Sequence, residues 1–482
     1  MGERVSKVGR LGRLLDRAIF ASLVALVVLV AVPYGSVDPW WEGAFGGAVF
    51  ALGALWMAEG AAAGGRWFVE AHRMLVPLAV LTAFVFAQAL PFSGVEVVAG
   101  VEVRRAISAD PAETARAASK LAALTLMLAL LLRYVSSERR LRALVWALVL
   151  VGVASALFGV ARQTTHGEAA KVFSQRLAAN VSGYGQFFSR NHFAFFMELA
   201  LGAVVALLAA AKRERVLLYL AAALPVWAAL VLSNSRGGIL GMFALTVVAA
   251  LLYFARVRRR REESRLSEER SWGEVLSGSL LFRAAAVLLL SAVVLAGVLW
   301  TGGERLASRL EALPSDVSAE QSKVRWGDRR AEIWGATVKL IREHALVGVG
   351  FGAYRAAVTE HHDASGEMSL EQAHNDYLEL LASGGLVGFG LASWFVFEFA
   401  RRARRRLGGR GLARRGLCAG ALAGLAAVAV HSLFDFGLHV TANALACVVL
   451  VAVATAEVAT EEKTRARRPQ QKRQAERAAV AA

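Results

Sequence analysis

The chain has 482 residues, of which 56% are hydrophobic and only 19% are charged. This composition excludes an ordinary soluble domain, in which about a quarter of residues are charged. The formal net charge of +17 would suit a nucleic-acid-binding protein. However, 37 of the 55 Lys and Arg residues fall in alternate segments between apolar runs, which favours a membrane protein with no nucleic-acid partner.

Apolar runs of about 18 to 22 residues recur along the chain, and each is long enough as a helix to cross a hydrocarbon core of about 30 Å. We predict an all-α, polytopic integral membrane protein with about 12 transmembrane helices. The predicted spans lie near residues 18–37, 44–63, 74–91, 118–135, 141–160, 190–211, 216–233, 237–255, 281–300, 377–399, 417–436 and 439–458.

The charge pattern predicts the topology. The positive-inside rule places both termini in the cytoplasm. The chain then divides into a basic N-terminus (1–17), nine helices (18–300), one large periplasmic loop (301–376), three helices (377–458) and a basic tail (459–482). The arginine block at 401–406 is typical of a topology anchor beside anionic headgroups.

The N-terminal 32 residues have the basic start and apolar run of a signal peptide, but no small-residue cleavage site follows. We therefore expect an uncleaved first span. Cys418 and Cys447 both fall in predicted helices, where cysteine is typically a small packing residue. They give no evidence for a disulfide or a metal site.

The outer segments carry the polar motifs. In the first, Asp110 and Glu113 flank Pro111 in a pattern typical of a helix start. The second is rich in Gly, Ser and Asn and ends just before Asn191, where the sixth span begins.

A short polar turn between the seventh and eighth spans contains Arg236 as its only charge. An arginine at such a depth is costly unless it is paired or faces water. Its planar guanidinium suits a phosphate or diphosphate. An interfacial arginine that reaches lipid headgroups is an equally good interpretation.

The large loop contains a helical segment from Arg329 to Leu346, a glycine turn at 348–352, and His374 just before an apolar span. His374 is a candidate general base, but Asn375 or Asp376 could simply cap the next helix beside it. Arg330 on an amphipathic helix could be a solvated surface residue. His344, His361 and His362 are expected to be exposed, and no spacing typical of a zinc site occurs. Glu198, Glu379 and Glu398 could mark an ion path or simply bond neighbouring helices.

The order of these motifs resembles the O-antigen ligase and polymerase superfamily of bacterial envelope glycosyltransferases. The resemblance covers roughly residues 150–455. It rests on the motifs Asn191-His192-Phe193-Ala194, Ser233-Asn234-Ser235-Arg236-Gly237, Arg330-Ala331-Glu332-Ile333-Trp334, Gly348-Val349-Gly350-Phe351-Gly352, His374-Asn375-Asp376-Tyr377-Leu378 and Asp435-Phe436-Gly437-Leu438. One departure is Ala345, where many members have proline.

The resemblance implies a GT-C-like architecture in the bacterial inner membrane and a periplasmic active site. Such enzymes move a glycan from undecaprenyl diphosphate to an acceptor hydroxyl, here of lipid A-core or of another glycan, with inversion and without a metal or other cofactor. By carry-over, His374 is the general base, and Arg236 and Arg330 bind the diphosphate. Asn375, Asn191, Arg329 and Tyr377 are expected to contact substrate.

Three other functions remain open from the sequence. A polymerase shares carrier, membrane face and motif order with a ligase and differs in its acceptor. A polyprenyl-glycan flippase would predict paired repeats and polar residues at span centres. A non-catalytic assembly subunit would not require His374.

Overall fold

The computed structural model describes residues 2–33, 35–62, 69, 72–98, 101–165, 183–264, 326–361, 370–409 and 411–458. The predicted span at 281–300, Arg325, His362 and the basic tail lie outside these residues, as does the side chain of Arg329. The described helices are α1 (Gly2–Leu29), α2 (Pro39–Ala62), α3 (His72–Ala89), α4 (Pro111–Tyr134), α5 (Glu138–Thr165), α6 (Arg190–Ala209), α7 (Val216–Leu232), α8 (Arg236–Ser264), α9 (Trp326–Glu343), α10 (Tyr354–Val358), α11 (Asp376–Gly408), α12 (Leu412–His431) and α13 (Thr441–Thr455).

In the part of the chain that the structure describes, nine helices are long and apolar enough to cross a membrane. They are α2 to α8, α11 and α12, and they coincide with nine of the predicted spans. The first predicted span lies mainly in α1, and the last coincides with the shorter apolar helix α13. The polytopic membrane architecture is thus supported, while the total of twelve stays a prediction.

The first outer segment is not purely helical, although an all-α fold was predicted. It contains an antiparallel hairpin of β1 (Ser93–Val98) and β2 (Val101–Arg105), so the chain departs locally from all-α. This hairpin was not predicted, although its strands are rich in β-branched valine. The predicted helix start is confirmed, because Asp110 accepts hydrogen bonds from the backbone N–H groups of Ala112 and Glu113.

Helix α6 is the central helix of the bundle, and its apolar segment is mostly buried among its neighbours. It packs most closely against α12, where small residues allow the two backbones to approach. A Cβ added to Gly420 would collide with Ala206, and one added to Gly424 would lie 2.9 Å from Gly202 Cα. Such small-residue contacts are typical of helix pairs within membranes. They fix the relation between the two helices that carry His192 and His431.

The two ends of the bundle differ in chemistry. One end, which we call the histidine end, gathers His192, His374, His431 and His439. At the opposite end, arginines bind the termini of neighbouring helices: Arg256 donates to Ala209 O, and Arg402 donates to Thr455 O. We call this the arginine end.

Helix α11 is broken near the histidine end. Gly385 has φ +58°, a left-handed conformation that glycine adopts without a steric cost. The break leaves backbone groups unpaired, and residues 345–350 of the preceding loop pair with them. The bonds run from Val349 N to Ala382 O, Gly350 N to Ser383 O, Leu386 N to Ala345 O and Val387 N to Leu346 O. The loop is thereby built into the transmembrane helix.

The glycine turn at 348–352 serves this contact. Its three glycines have φ values of +69°, +100° and +81°. A Cβ added to Gly348 would collide with the Ser383 backbone, and one added to Gly350 would collide with Ser108. The glycines therefore allow both the tight turn and its close approach to α11 and to Ser108.

Candidate active site

His374 lies against a buried carboxylate at the histidine end. Its Nδ1 is 3.5 Å from Oδ1 of Asp435, a residue in the turn between α12 and α13. The His374 side chain is 33% exposed, whereas that of Asp435 is 3% exposed. Because the two ring nitrogens lie on different edges of an imidazole, Nε2 of His374 is directed away from Asp435. This arrangement resembles a base oriented by a carboxylate.

Asp435 is held in its ionised form by its surroundings. Burial alone would raise the pKa of this carboxyl, but His374, His192 and the backbone N–H of Phe436 lower it well below the usual range. The Phe436 N–H donates to Oδ1 at 2.9 Å, and His192 Nε2 lies 4.0 Å from the same oxygen. A negative charge is therefore available behind His374 at neutral pH.

The ring of Phe436 separates the histidines of this cluster. It packs edge-on against His374, His192 and His439, with ring centroids 5.0, 4.7 and 6.0 Å apart. Such edge-to-face contacts fix ring orientation. Phe436 therefore limits how the imidazole of His374 can turn relative to Asp435.

The backbone at His374 is strained. Its φ is +50°, a value that few residues other than glycine adopt. Asn375 follows as the N-cap of α11 and accepts hydrogen bonds from the N–H groups of Tyr377 and Leu378. The capping interpretation of Asn375 is therefore confirmed, and the cap is compatible with a role for His374. Strain of this kind is common at functional sites.

Asn375 and Tyr377, which were predicted to contact substrate, instead form hydrogen bonds within the protein. The Asn375 amide also donates to Leu433 O at 3.1 Å, and the Tyr377 hydroxyl donates to Ala429 O at 2.7 Å. Both side chains thus tie the start of α11 to α12. We assign them a structural contribution to the site, because their polar atoms are already used within the protein.

A second accessible histidine lies beside the first. His439 Nε2 is 3.2 Å from Glu379 Oε1 and 3.9 Å from Asp376 Oδ1, and its side chain is 40% exposed. Glu379 also accepts a hydrogen bond from the backbone N–H of Ala373, the residue before His374. Glu379 therefore supports the loop that presents His374. Of the two interpretations of Glu379, this contact favours hydrogen bonding within the protein over an ion path.

Arg236 begins α8 at the same end of the bundle. Its side chain is exposed, and in the described part of the chain its guanidinium has no hydrogen-bond or ion-pair partner. The preceding Asn234 has a left-handed φ of +56°, and the following Gly237 packs against His431. The turn thus holds the exposed guanidinium of Arg236 at the surface of the bundle.

Arg330 reaches the same region through α9. Trp334 on this helix donates from its indole N–H to Ala373 O at 3.0 Å. Residues four apart share a helix face, so Arg330 lies one turn before Trp334 on the side turned toward the His374 loop. Arg330 is half-buried and has no partner among the described residues. The backbone of Arg329 belongs to α9, and its side chain lies outside the description.

Asn191 lies in the first turn of α6, next to His192. Ser189 caps this helix by accepting a hydrogen bond from the Asn191 N–H at 3.2 Å. The half-buried Asn191 side chain has no partner among the described residues. Asn443 donates to His192 O and to Gly437 O, which joins this turn to the segment carrying Asp435.

The structure therefore brings His374, Arg236, Arg330 and Asn191 to one end of the bundle. Sequence reasoning missed Asp435, His192 and His439 as site residues, although two of them stood in quoted motifs. The signal available was a carboxylate in a short turn between two apolar helices. Of the loop histidines, His344 is exposed as expected, whereas His361 is half-buried and lies 3.2 Å from Glu343. Among the described residues, no three His, Cys, Asp or Glu side chains are grouped to hold a metal ion.

Residues 220–393 match the family model described as O-antigen ligase. This segment contains Arg236, Arg330, the glycine turn and His374. The match supports placement in the O-antigen ligase/polymerase superfamily, as the motifs indicated. No curated protein matches the chain.

Proposed function

From its place in the O-antigen ligase/polymerase superfamily, we propose that this protein is an O-antigen ligase-like glycosyltransferase. It moves a glycan from undecaprenyl diphosphate to a hydroxyl of lipid A-core at the periplasmic face of the inner membrane. The observation that carries the proposal is the contact of the partly exposed His374 with the buried Asp435.

His374 acts as the general base in this proposal. Its Nε2 takes the proton of the acceptor hydroxyl as the acceptor oxygen attacks the anomeric carbon of the donor. The imidazolium that forms is stabilised by the ionised Asp435 behind Nδ1. Phe436 keeps the ring turned so that Nε2 stays on the substrate side.

Arg236 and Arg330 bind the diphosphate. The bond between the anomeric carbon and the diphosphate oxygen breaks, and its electron pair leaves with undecaprenyl diphosphate. Two guanidiniums without described partners stabilise the charge that develops on this leaving group. Attack from the face opposite the leaving group inverts the anomeric centre, and the two arginines supply charge that a divalent metal would otherwise provide.

The chemistry of the two bundle ends supports the orientation. The arginine end carries the density of positive charge expected on the cytoplasmic side, and this favours a periplasmic position for the histidine end. A donor glycan that has been presented outside the cell membrane would meet the site there.

A polymerase is the second candidate, because the matched family supports ligase- or polymerase-type function alike. The same His374, Arg236 and Arg330 would serve it, and the acceptor would be a second carrier-linked repeat unit. The two activities differ in acceptor alone.

Glycan transfer by the purified protein tests the proposal. Wild type, His374→Ala and His344→Ala receive undecaprenyl-diphosphate-linked glycan, with lipid A-core in one series and without it in another. His344 is a matched control because it is an exposed histidine of the same loop. We expect transfer to lipid A-core by wild type and His344→Ala, and its loss in His374→Ala.

The other outcomes separate the alternatives. Chain growth without lipid A-core, again lost in His374→Ala, would replace the ligase with the polymerase. A His374→Ala variant as active as wild type would contradict the role of His374, and His439→Ala would then test the neighbouring histidine.

A further inference from the structure

A carboxylate and an imidazole meet in the buried interior of the bundle, directly behind the exposed residues of the histidine end. Oε1 of Glu198 on α6 lies 3.0 Å from Nδ1 of His431, the last residue of α12. The two side chains are 0% and 1% exposed. Within the described chain, Oε2 of Glu198 has no hydrogen-bond partner. The pair is too deeply buried to touch a substrate.

Helix α8 rests directly on this pair. A Cβ added to Gly237 would lie 2.5 Å from Cδ2 and 2.6 Å from Nε2 of His431. One turn later, a Cβ added to Gly241 would collide with Oε1 of Glu198. Because Gly237 follows Arg236 directly, the position of the His431 ring sets how closely the Arg236 end of α8 approaches the bundle.

The same pair leads to the start of α11. Ser432 follows His431, and its hydroxyl donates to Oδ2 of Asp376 at 2.6 Å. The Asp376 N–H in turn donates to Ser432 O at 3.0 Å. Asp376 is two residues from His374. One buried contact is therefore connected to Arg236 on one side and to His374 on the other.

Helix association alone does not require such a pair. A buried carboxylate carries a desolvation cost, and packed apolar residues of similar volume often stabilise a protein equally well or better. The remaining unpartnered Oε2 adds to that cost. A hydrogen bond, however, fixes the distance and direction between two side chains more strictly than apolar packing does.

We propose that Glu198 and His431 are positioning residues that hold Arg236 at a fixed distance from His374. This inference rests on the proposed function, in which Arg236 binds the diphosphate and His374 binds the acceptor hydroxyl. The distance between the two residues then sets the distance between the reacting groups. A misplacement of about 1 Å can cost about a hundredfold in rate.

The kinetic test is a double-mutant cycle. We expect Glu198→Leu to lower kcat for glycan transfer at least about tenfold, and Glu198→Gln, which can still bond His431, to restore it to within about threefold. In an Arg236→Ala background, Glu198→Leu should have less than about a threefold further effect, because residues that act through each other are not additive. Equal losses in both backgrounds would overturn the proposal.

Glu59 provides a matched control. It is a buried carboxylate near the arginine end, bonded by the Tyr134 hydroxyl on α4. Glu59→Leu and Glu59→Gln remove the same groups from a bundle of the same composition. We expect both to leave kcat within about twofold of wild type, since neither touches α8 or α11. A loss equal to that of Glu198→Leu would reduce the pair to a general contribution to stability.

A distance measurement tests the geometry without any turnover. Nitroxide labels are placed at Leu240→Cys on α8 and Leu386→Cys on α11, both exposed positions, after the two native cysteines are replaced by alanine. We expect the distance distribution to shift or broaden with Glu198→Leu and not with Glu59→Leu. An unchanged distribution would overturn the positioning role. A wild type that transfers no glycan would contradict the proposed function, and the label distances would still decide whether the pair fixes α8 against α11.

Discussion

Oδ1 of Asp435 lies 3.5 Å from Nδ1 of His374, although the two residues come from separate segments next to different helices. The contact joins the turn after α12 to the loop before α11. It places an ionised, buried carboxylate directly behind a partly exposed imidazole. The first three predictions below concern this contact and Arg236.

Replacement of Asp435 by Asn should lower kcat by about a hundredfold or more, because the imidazolium formed during transfer loses its counter-charge. Asn keeps the size of the side chain, so the fold should persist. Glycan transfer under saturating donor and acceptor measures the effect. Asp38→Asn, in the turn before α2, is the control and should remain near wild type. A fully active Asp435→Asn variant would remove Asp435 from the mechanism.

Asp435 should also make stability depend on pH. The folded-state pKa is lowered, so the ionised carboxylate stabilises the protein above the unfolded-state value of about 3.9, and this contribution is lost as pH falls through the folded value. The Tm of wild type should therefore exceed that of Asp435→Asn most at neutral pH. Thermal melts from pH 7 to pH 3 should show the difference narrowing below about pH 4. A constant difference would contradict the lowered pKa.

Arg236→Lys should fold and lose most of its activity. An ammonium keeps the charge but cannot form the two parallel hydrogen bonds that a guanidinium makes with a diphosphate. We expect a loss of about tenfold to a hundredfold in kcat/KM for the lipid-linked donor. Arg213→Lys, an exposed arginine just before α7, is the matched control. Wild-type turnover by Arg236→Lys would contradict the diphosphate-binding role.

Gln88 on α3 should support the site through the broken helix. Its side-chain amide donates to Val347 O at 2.7 Å and to Ser383 O at 3.0 Å, one on each side of the contact between loop and helix. Gln88→Leu removes this donor from the part-buried Val347 carbonyl and from the buried Ser383 carbonyl, which keeps only the bond from Gly350 N, and it should cost about 1–3 kcal/mol of stability. Gln186→Leu removes a similar buried amide, bonded to Ser155 at 2.6 Å, and should cost a similar amount. When glycan transfer is normalised to the amount of folded protein, only Gln88→Leu should show a reduced rate. Equal normalised rates for both variants would contradict this prediction.

Glycan transfer should continue undiminished in excess chelator, because guanidiniums supply the positive charge at the leaving group. The measurement is the rate of transfer before and after prolonged incubation with a divalent-metal chelator. Inhibition that added metal reverses would overturn the metal-independent mechanism.

The sequence predicts those features that depend on local pattern. Apolar runs predicted the nine apolar helices of membrane-spanning length in the described part of the chain, and polar residues predicted the caps formed by Asp110 and Asn375. The motifs contain residues that the fold brings to one end of the bundle, among them His374, Arg236 and Asn191. Local pattern cannot predict which side chains meet, so the contacts of Asp435 with His374 and of Glu198 with His431 became visible only in the fold. Apolar runs do not predict the hairpin of β1 and β2, because its short strands mix valine with charged residues.

The break in α11 at Gly385 has a consequence for recombination between relatives. Backbone atoms of residues 345–350 complete the hydrogen bonding of residues 382–387, so neither segment carries a self-sufficient backbone. If the loop came from one relative and the helix from another, the new turn would have to match the break in α11 that it did not evolve with. Residues 345 to 387 therefore form one unit of inheritance, and chimeras that cut within it should fail where those that cut outside it assemble.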